Sequence, residues 1–546
     1  MNYLLTLLFL AFFSTLSAQT RIEYKFRVYL TDKGTADYCI SQPERFLSRA
    51  AIERKKRQNV PIRESDLPIS QDYFRLLERA GARVVTHSRW FKTIVVQVPD
   101  SMRINSIAQL SFVDSVRLVW RGHDTYHRSE VRPRLVSSHE NERTDCFFGR
   151  TSAQFALHNA KPMIKAGFRG DGIRIGVADA GFANVDVIPY FDNLQIGNSR
   201  SFVPRGELLA GSGDHGTRVL STMSVKKPGL MIGSAPNATF WLMRTEDIAT
   251  EFPVEEDYWV AAIEFADSLG LDIVNTSLGY STFDDPSMNY THADLTGRVA
   301  FISRAADKAF DKGMLLVVSA GNMGNTAWQT VTPPADAHNV LAVGAVGTDG
   351  ELAAFSSRGF TADGRIRPDV VSVGRSTIVL RQCGVVGTGY GTSFSSPFLA
   401  GLIASLWSIN PYLHRSEVLD IVKRSSDRFH SPDTLFGRGI PDFQKAMRKM
   451  LQTLEVHVGD VSKEGWFIMP TNAGFFVGYS HDISRLRPLP TFSLLDDAGN
   501  LLSAYTLDNE NSRVLVSVAS EVRERSEYVY FVLSDWMGRR VVRVRL

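Results

Sequence analysis

Cysteine is almost missing from this chain: Cys39, Cys146 and Cys383 are the only three in 546 residues. So few thiols exclude a disulfide framework and a thiolate metal cluster, and the odd number leaves at least one unpaired within the chain. Cys146 with Cys383 stays open as a pairing if Cys39 is lost in processing. An excess of one charge is missing too. Sixty-one Lys and Arg stand against 58 Asp and Glu, a formal +3, which offers no footing for nucleic acid as a partner. Long apolar runs are confined to the N-terminus. Met1–Ala18 has the short apolar core and small-residue end of a secretory signal peptide, without Lys or Arg ahead of it, and is too short to span a bilayer comfortably. The expected location is therefore secreted or cell-surface. Neither Gly-rich phosphate-loop spacing occurs, which argues against a nucleotide enzyme.

What is present is an ordinary globular composition, 44% apolar and 22% charged, in a chain long enough for two or more domains. Residues 22–120 predict strand, helix, strand, strand, helix, strand, the ferredoxin-like α+β order. The basic run Arg54-Lys55-Lys56-Arg57 reads as a solvated helix face. From Arg121 to Phe147 the chain is polar, charged and aperiodic, a linker of the kind that proteases nick. From residue 151 short apolar strands (173–178, 239–243, 272–277, 314–319, 340–346) alternate with helices (154–167, 215–224, 255–269, 298–312). That rhythm implies a mostly parallel sheet with helices on both faces and chemistry at the carboxyl ends of its strands. Beyond Leu454 the period falls to two, which suggests a small β-sandwich over 455–546.

Five short motifs sit on this α/β region. They are Asp179-Ala180-Gly181, Asp214-His215-Gly216-Thr217, Asn275-Thr276-Ser277-Leu278-Gly279, Ala320-Gly321-Asn322 and Gly391-Thr392-Ser393-Phe394-Ser395-Ser396-Pro397. The last opens an apolar, Ala-rich helix, with Thr392 as its expected N-cap and Ser393 in its first turn. Pro397 lacks the N–H that would bond the Ser393 carbonyl, a local rule broken where function is often found. Acid, histidine and serine in that chain order form one of the known serine-protease sequences. Asp214, adjacent to His215, cannot orient its neighbour's ring from below and reads as structural. His158, His292 and His338 lie outside every motif.

Together the motifs resemble those of subtilisin-like serine peptidases (subtilases), over roughly residues 151–449. The resemblance implies a secreted endopeptidase in which Ser393 is the nucleophile, His215 the base and Asp179 its orienting acid. It implies Asn322 in the oxyanion hole, and Ser277, Leu278, Gly279, Ala320 and Gly321 along the substrate cleft. Protein or peptide substrates follow, and residues 19–125 become a propeptide that inhibits the enzyme until the linker 126–150 is cut. No cofactor is required; subtilases often hold structural calcium, but no acidic loop here names its ligands. Asp-Ala-Gly replaces the commoner Asp-Thr-Gly, and Phe394-Ser395 the commoner Met-Ala, without removing a reacting group. The last eighty residues are weakly similar to sorting domains of the type IX secretion system, which would make secretion machinery a partner; a carbohydrate- or protein-binding module is the other reading. The alternative for the whole chain is a catalytically silent subtilase-like binding protein of the cell surface.

Overall fold

The computed structural model describes residues 22–34, 38–123, 134–135, 147–209, 213–484, 486, 488–509 and 511–546. The signal segment, Cys146 and most of the linker lie outside the described residues. Strand Ile22–Leu30 takes the middle of a four-stranded antiparallel sheet, between Thr93–Val98 and Val113–His123, with Arg83–Ser88 at one edge. Its period of two sends Phe26, Val28 and Leu30 into a core under helices Gln71–Arg79 and Ile104–Ala108. Lys25 and Arg27 therefore face the other way. They are nevertheless buried, because that face lies on helix Val254–Leu269 of the next layer. Arg27 makes a two-pronged bond to Asp257 at 2.6 and 2.7 Å, and Lys25 Nζ donates to the Tyr258 hydroxyl at 3.2 Å.

The basic run corrects its expectation. It belongs to helix Arg49–Arg57, which wraps the far end of Val254–Leu269, and Arg54 and Lys55 are each only 1% exposed. Arg54 bonds Asp267; Lys55 lies 2.9 Å from the same carboxylate, and Arg89 reaches it at 3.4 Å. One acid thus meets three cations from the N-terminal domain. Local sequence could not show this, since the acid lies more than 170 residues downstream.

The central sheet runs, in spatial order, Val370–Val373, Val340–Val346, Leu315–Ser319, Ile273–Thr276, Arg174–Asp179, Thr239–Arg244 and Gln195–Ile196, all pairings parallel. Parallel strands buried on both faces read as continuous apolar runs, as Val340–Val346 does. Helix Thr392–Trp407 crosses behind the sheet with every residue buried. The single helix expected at 154–167 is two, Ser152–Leu157 and Lys161–Lys165: Asn159 turns left-handed (φ 50°), and Pro162 opens the second. Phe148, assigned to the linker from sequence, is 2% exposed within the main core.

The C-terminal residues form a five-stranded and a four-stranded sheet packed as a small sandwich. Its strands include the short Val461–Lys463 and the longer Trp466–Thr471 and Leu501–Thr506. The tail is not a separate bead. Leu495, Tyr530 and Val532 join the main core, and Arg539 pairs with Asp171 at 2.5 Å. Among the described residues no helix is long and apolar enough to cross a membrane.

Candidate active site

Asp179 ends its strand at the carboxyl edge of the sheet, fully buried. Its Oδ1 accepts the Ala180 N–H at 2.8 Å and lies 2.7 Å from His215 Nδ1. Its Oδ2 has no partner among the described residues. His215 is the first residue of helix His215–Ser224. No side chain is tolerated one position later: a Cβ on Gly216 would stand 2.4 Å from the Gly181 carbonyl. Burial pulls the His215 pKa down, but the charge and hydrogen bond of Asp179, with Glu246 adding, outweigh it, so the imidazole titrates above its ordinary range. Asp214 pairs with Arg218 at 2.9 Å rather than with the ring.

Ser393 lies in the first turn of its helix and is 8% exposed. Thr392 is not the N-cap; Gly391 is, with φ 144°, and Thr392 is the first helical residue. The capping acceptor comes from another loop: Asn322 Oδ1 takes the Thr392 N–H at 2.9 Å and its hydroxyl at 3.0 Å. With Oδ1 held in this way, Asn322 Nδ2 is the end left for an incoming group. It makes no hydrogen bond among the described residues. The carbonyl orphaned by Pro397 is answered from a distance, since the Ser277 hydroxyl donates to the Ser393 carbonyl at 3.0 Å. Asn275 holds Ser277 by its Nδ2 at 2.9 Å and accepts from the Ser396 hydroxyl at 2.8 Å. A buried polar net thus tethers the start of this helix to strand Ile273–Thr276.

The Ser393 hydroxyl itself donates to the Ser277 carbonyl at 3.4 Å. No hydrogen bond joins it to His215 among the described residues, and in empty sites such contacts commonly tighten only with substrate present. Of the cleft residues read from sequence, Gly279 is exposed and Leu278 buried. Neither has a backbone hydrogen bond among the described residues, so an extended peptide could pair there. Ala320 and Gly321 differ. The Ala320 N–H goes to Val343 O and the Gly321 N–H to the Thr392 hydroxyl, while Ser357 N–H bonds the Gly321 carbonyl. Their N–H groups and the Gly321 carbonyl are thus already engaged within the protein. His158 is a core histidine, 2.8 Å from the Ser372 hydroxyl and pushed by burial down to about 4. Sequence reasoning missed the contact of Asn322 with Thr392, two motif residues whose spacing does not show that they meet, and missed Glu246, outside every motif, as a charge acting on His215.

Two family models match the chain: the subtilase family (peptidase S8) over residues 170–439, and the peptidase S8 propeptide domain of Bacteroidota over residues 25–132. The chain is 29% identical over 294 residues to subtilisin DY of Bacillus licheniformis, covering 52% of this chain and 96% of that one. Over 290 residues it is 27% identical to subtilisin E of Bacillus subtilis (strain 168), covering 53% and 68% respectively. In fold it is similar to the epidermin leader peptide processing serine protease (EpiP) of Staphylococcus aureus, with a TM-score of 0.53 and 15% identity over 78% of this chain and 98% of that one.

Proposed function

From a chain whose central domain belongs to the subtilase family of serine endopeptidases, behind an S8 propeptide domain, we propose that Asp179, His215 and Ser393 form the catalytic triad. The observation that carries the assignment is the 2.7 Å contact of His215 Nδ1 with a buried Asp179, on the sheet edge where Ser393 begins its helix. His215 Nε2 takes the Ser393 proton as Oγ attacks the scissile carbonyl, then delivers it to the leaving amine. Water releases the resulting acyl-enzyme by the same steps. Asp179 holds the tautomer and stabilises the imidazolium. Because the base must be neutral, activity rises with pH through the elevated His215 pKa. No cofactor enters these steps. A fluorophosphonate probe should label the processed enzyme at Ser393 and leave Ser393→Ala unlabelled. A folded protein that takes no label is instead the silent binding protein.

Asn322 Nδ2 and the Ser393 N–H are the proposed oxyanion donors. Asn322→Ala should lower kcat by roughly a hundred- to a thousand-fold, the usual cost of one such donor, with KM little changed. A loss mainly in KM would make Asn322 a ground-state contact. The substrates are proteins or peptides, and the propeptide domain is the enzyme's own inhibitor. Export through the N-terminal segment, with the β-rich tail as a sorting signal, completes the reading. Its support is a signal-like sequence and a tail that contains no reacting group.

A further inference from the structure

Just past the end of helix Arg49–Arg57, the N-terminal and peptidase domains do not close on each other completely. An open cavity of about 410 Å³ lies between them. Gln58, Arg63 and Ser65 line it from the N-terminal domain, and Lys308, Lys312 and Arg415 from the peptidase domain. Hydrogen bonds join the two walls around it. Gln58 Oε1 accepts the Arg415 N–H at 2.9 Å, and the Gln58 carbonyl accepts from the Arg415 guanidinium at 3.5 Å. Lys312 Nζ donates to the Ser65 hydroxyl oxygen at 2.7 Å.

The charges around this cavity do not balance. Arg63, Lys308, Lys312 and Arg415 line it with a single acid, Asp311. Only Lys312 has a carboxylate partner, Asp66 at 2.7 Å, and Lys55 already shares that acid. The other three cations make no ion pair among the described residues. Arg415 is the telling case. It is only 7% exposed, its Nε has no partner among the described residues, and its Nη1 bonds neutral acceptors, the Gln58 carbonyl and His414 Nε2. A buried guanidinium without an acid beside it is costly unless a counter-anion completes it. Burial holds Arg415 and Lys312 below their ordinary pKa values although Asp311 and Asp66 pull the other way. The neighbouring acids therefore do not make up for the lost water.

We propose that this cavity binds a small multivalent oxyanion, a phosphate or diphosphate, free or carried on an organic ester, and that the anion bridges the propeptide domain to the peptidase domain. Arg63 donates to it from one side, Lys308 and Arg415 from the other. Several N–H donors can share one such anion, and the planar fork of an arginine fits its oxygens. Arg63 leaves with the propeptide, so the whole site exists only in the assembled molecule. A ligand that binds only the assembled state stabilises it. The anion thus holds the propeptide in place and delays its release after the linker is cut. Binding of the anion needs the propeptide domain, not the triad assignment.

The test titrates pyrophosphate into the uncut Ser393→Ala precursor by calorimetry, at constant ionic strength and without divalent cations. One site per chain should fill, at least about tenfold more tightly than in the processed enzyme freed of its propeptide. Arg63→Gln and Arg415→Gln should each weaken binding by about tenfold or more, the loss of one or two charge-assisted bonds. Arg63 is exposed, so its variant tests the site even if Arg415→Gln fails to fold. A parallel titration with a nucleoside diphosphate separates the two sources. Tighter binding of the ester shows that its organic part is read as well; equal binding shows that only the phosphates are. In wild type, saturating pyrophosphate should lengthen the lag between linker cleavage and peptide hydrolysis, and Arg63→Gln should abolish that lengthening. No saturable binding, equal affinity of precursor and processed enzyme, or binding indifferent to Arg63→Gln overturns the site. An unchanged lag with the site filled overturns its hold on the propeptide.

Discussion

Ser393→Ala should lower kcat for a peptide substrate by about a million-fold, and the same change should stop the precursor from processing itself. The magnitude is carried over from subtilisin, where the nucleophile and its base each cost about as much alone as the whole triad together. The physical reason applies here. Without Oγ there is no acyl-enzyme, and the imidazole has no proton to move, so His215→Ala should cost nearly as much. Asp179→Ala should cost less, since a mispositioned base still finds the serine part of the time. What survives is the residual catalysis of the oxyanion donors and of binding. Chromogenic peptide hydrolysis by the purified variants measures the loss. A Ser393→Ala protein cutting at near the parent rate would remove Ser393 from the mechanism.

Asp267→Asn should loosen the propeptide without disabling the mature enzyme. In the intact chain this acid is fully buried and answers Arg54, Lys55 and Arg89 at once. Removing one member of a buried charge set costs about 3–5 kcal/mol, because the rest are left uncompensated. That corresponds to inhibition by the cleaved propeptide weakened about a hundred- to several-thousand-fold. The mature enzyme lacks all three cations, so its own rate should hardly move, and that contrast separates docking from general damage. Inhibition constants within a few-fold of wild type would show that the seam is held elsewhere. Acid should not open it. Burial raises the Asp267 carboxyl, but Lys55, Arg54 and Arg89 bring it to about 2 from an ordinary 3.8. A depressed carboxylate contributes in full above its ordinary value and loses that contribution only as the pH falls through the depressed one. The window is therefore about pH 4 down to 2, well below mild acidity.

The parts of the molecule legible in the sequence are those whose signal is local. Helix His215–Ser224 and strand Val340–Val346 fall where the periodicity places them. What sequence could not show depends on partners far along the chain. Arg54 and Lys55 look like a solvated helix face until Asp267 is placed beside them. The Ser393 carbonyl looks orphaned by Pro397 until Ser277 turns its hydroxyl towards it. Thr392 has the composition of an N-cap, yet Asn322 supplies the acceptor, which moves Thr392 into the helix. The short strands of the tail, three residues in Val461–Lys463, are too brief to establish a period.

The wrapping segment also sets a clock. The Arg415 N–H bonds the Gln58 side chain at 2.9 Å across 357 residues of sequence, and Gln58 reaches back to the Leu413 carbonyl at 3.2 Å. At ribosomal rates of about 5–20 residues per second, roughly 20–70 seconds separate the synthesis of one side of that contact from the other. During this interval the N-terminal domain has no partner at that end of the seam, although helix Val254–Leu269, on which its sheet rests, is made earlier. The wrap can therefore close only after residue 415 has been made, whereas the face resting on helix Val254–Leu269 has its partner about 150 residues sooner.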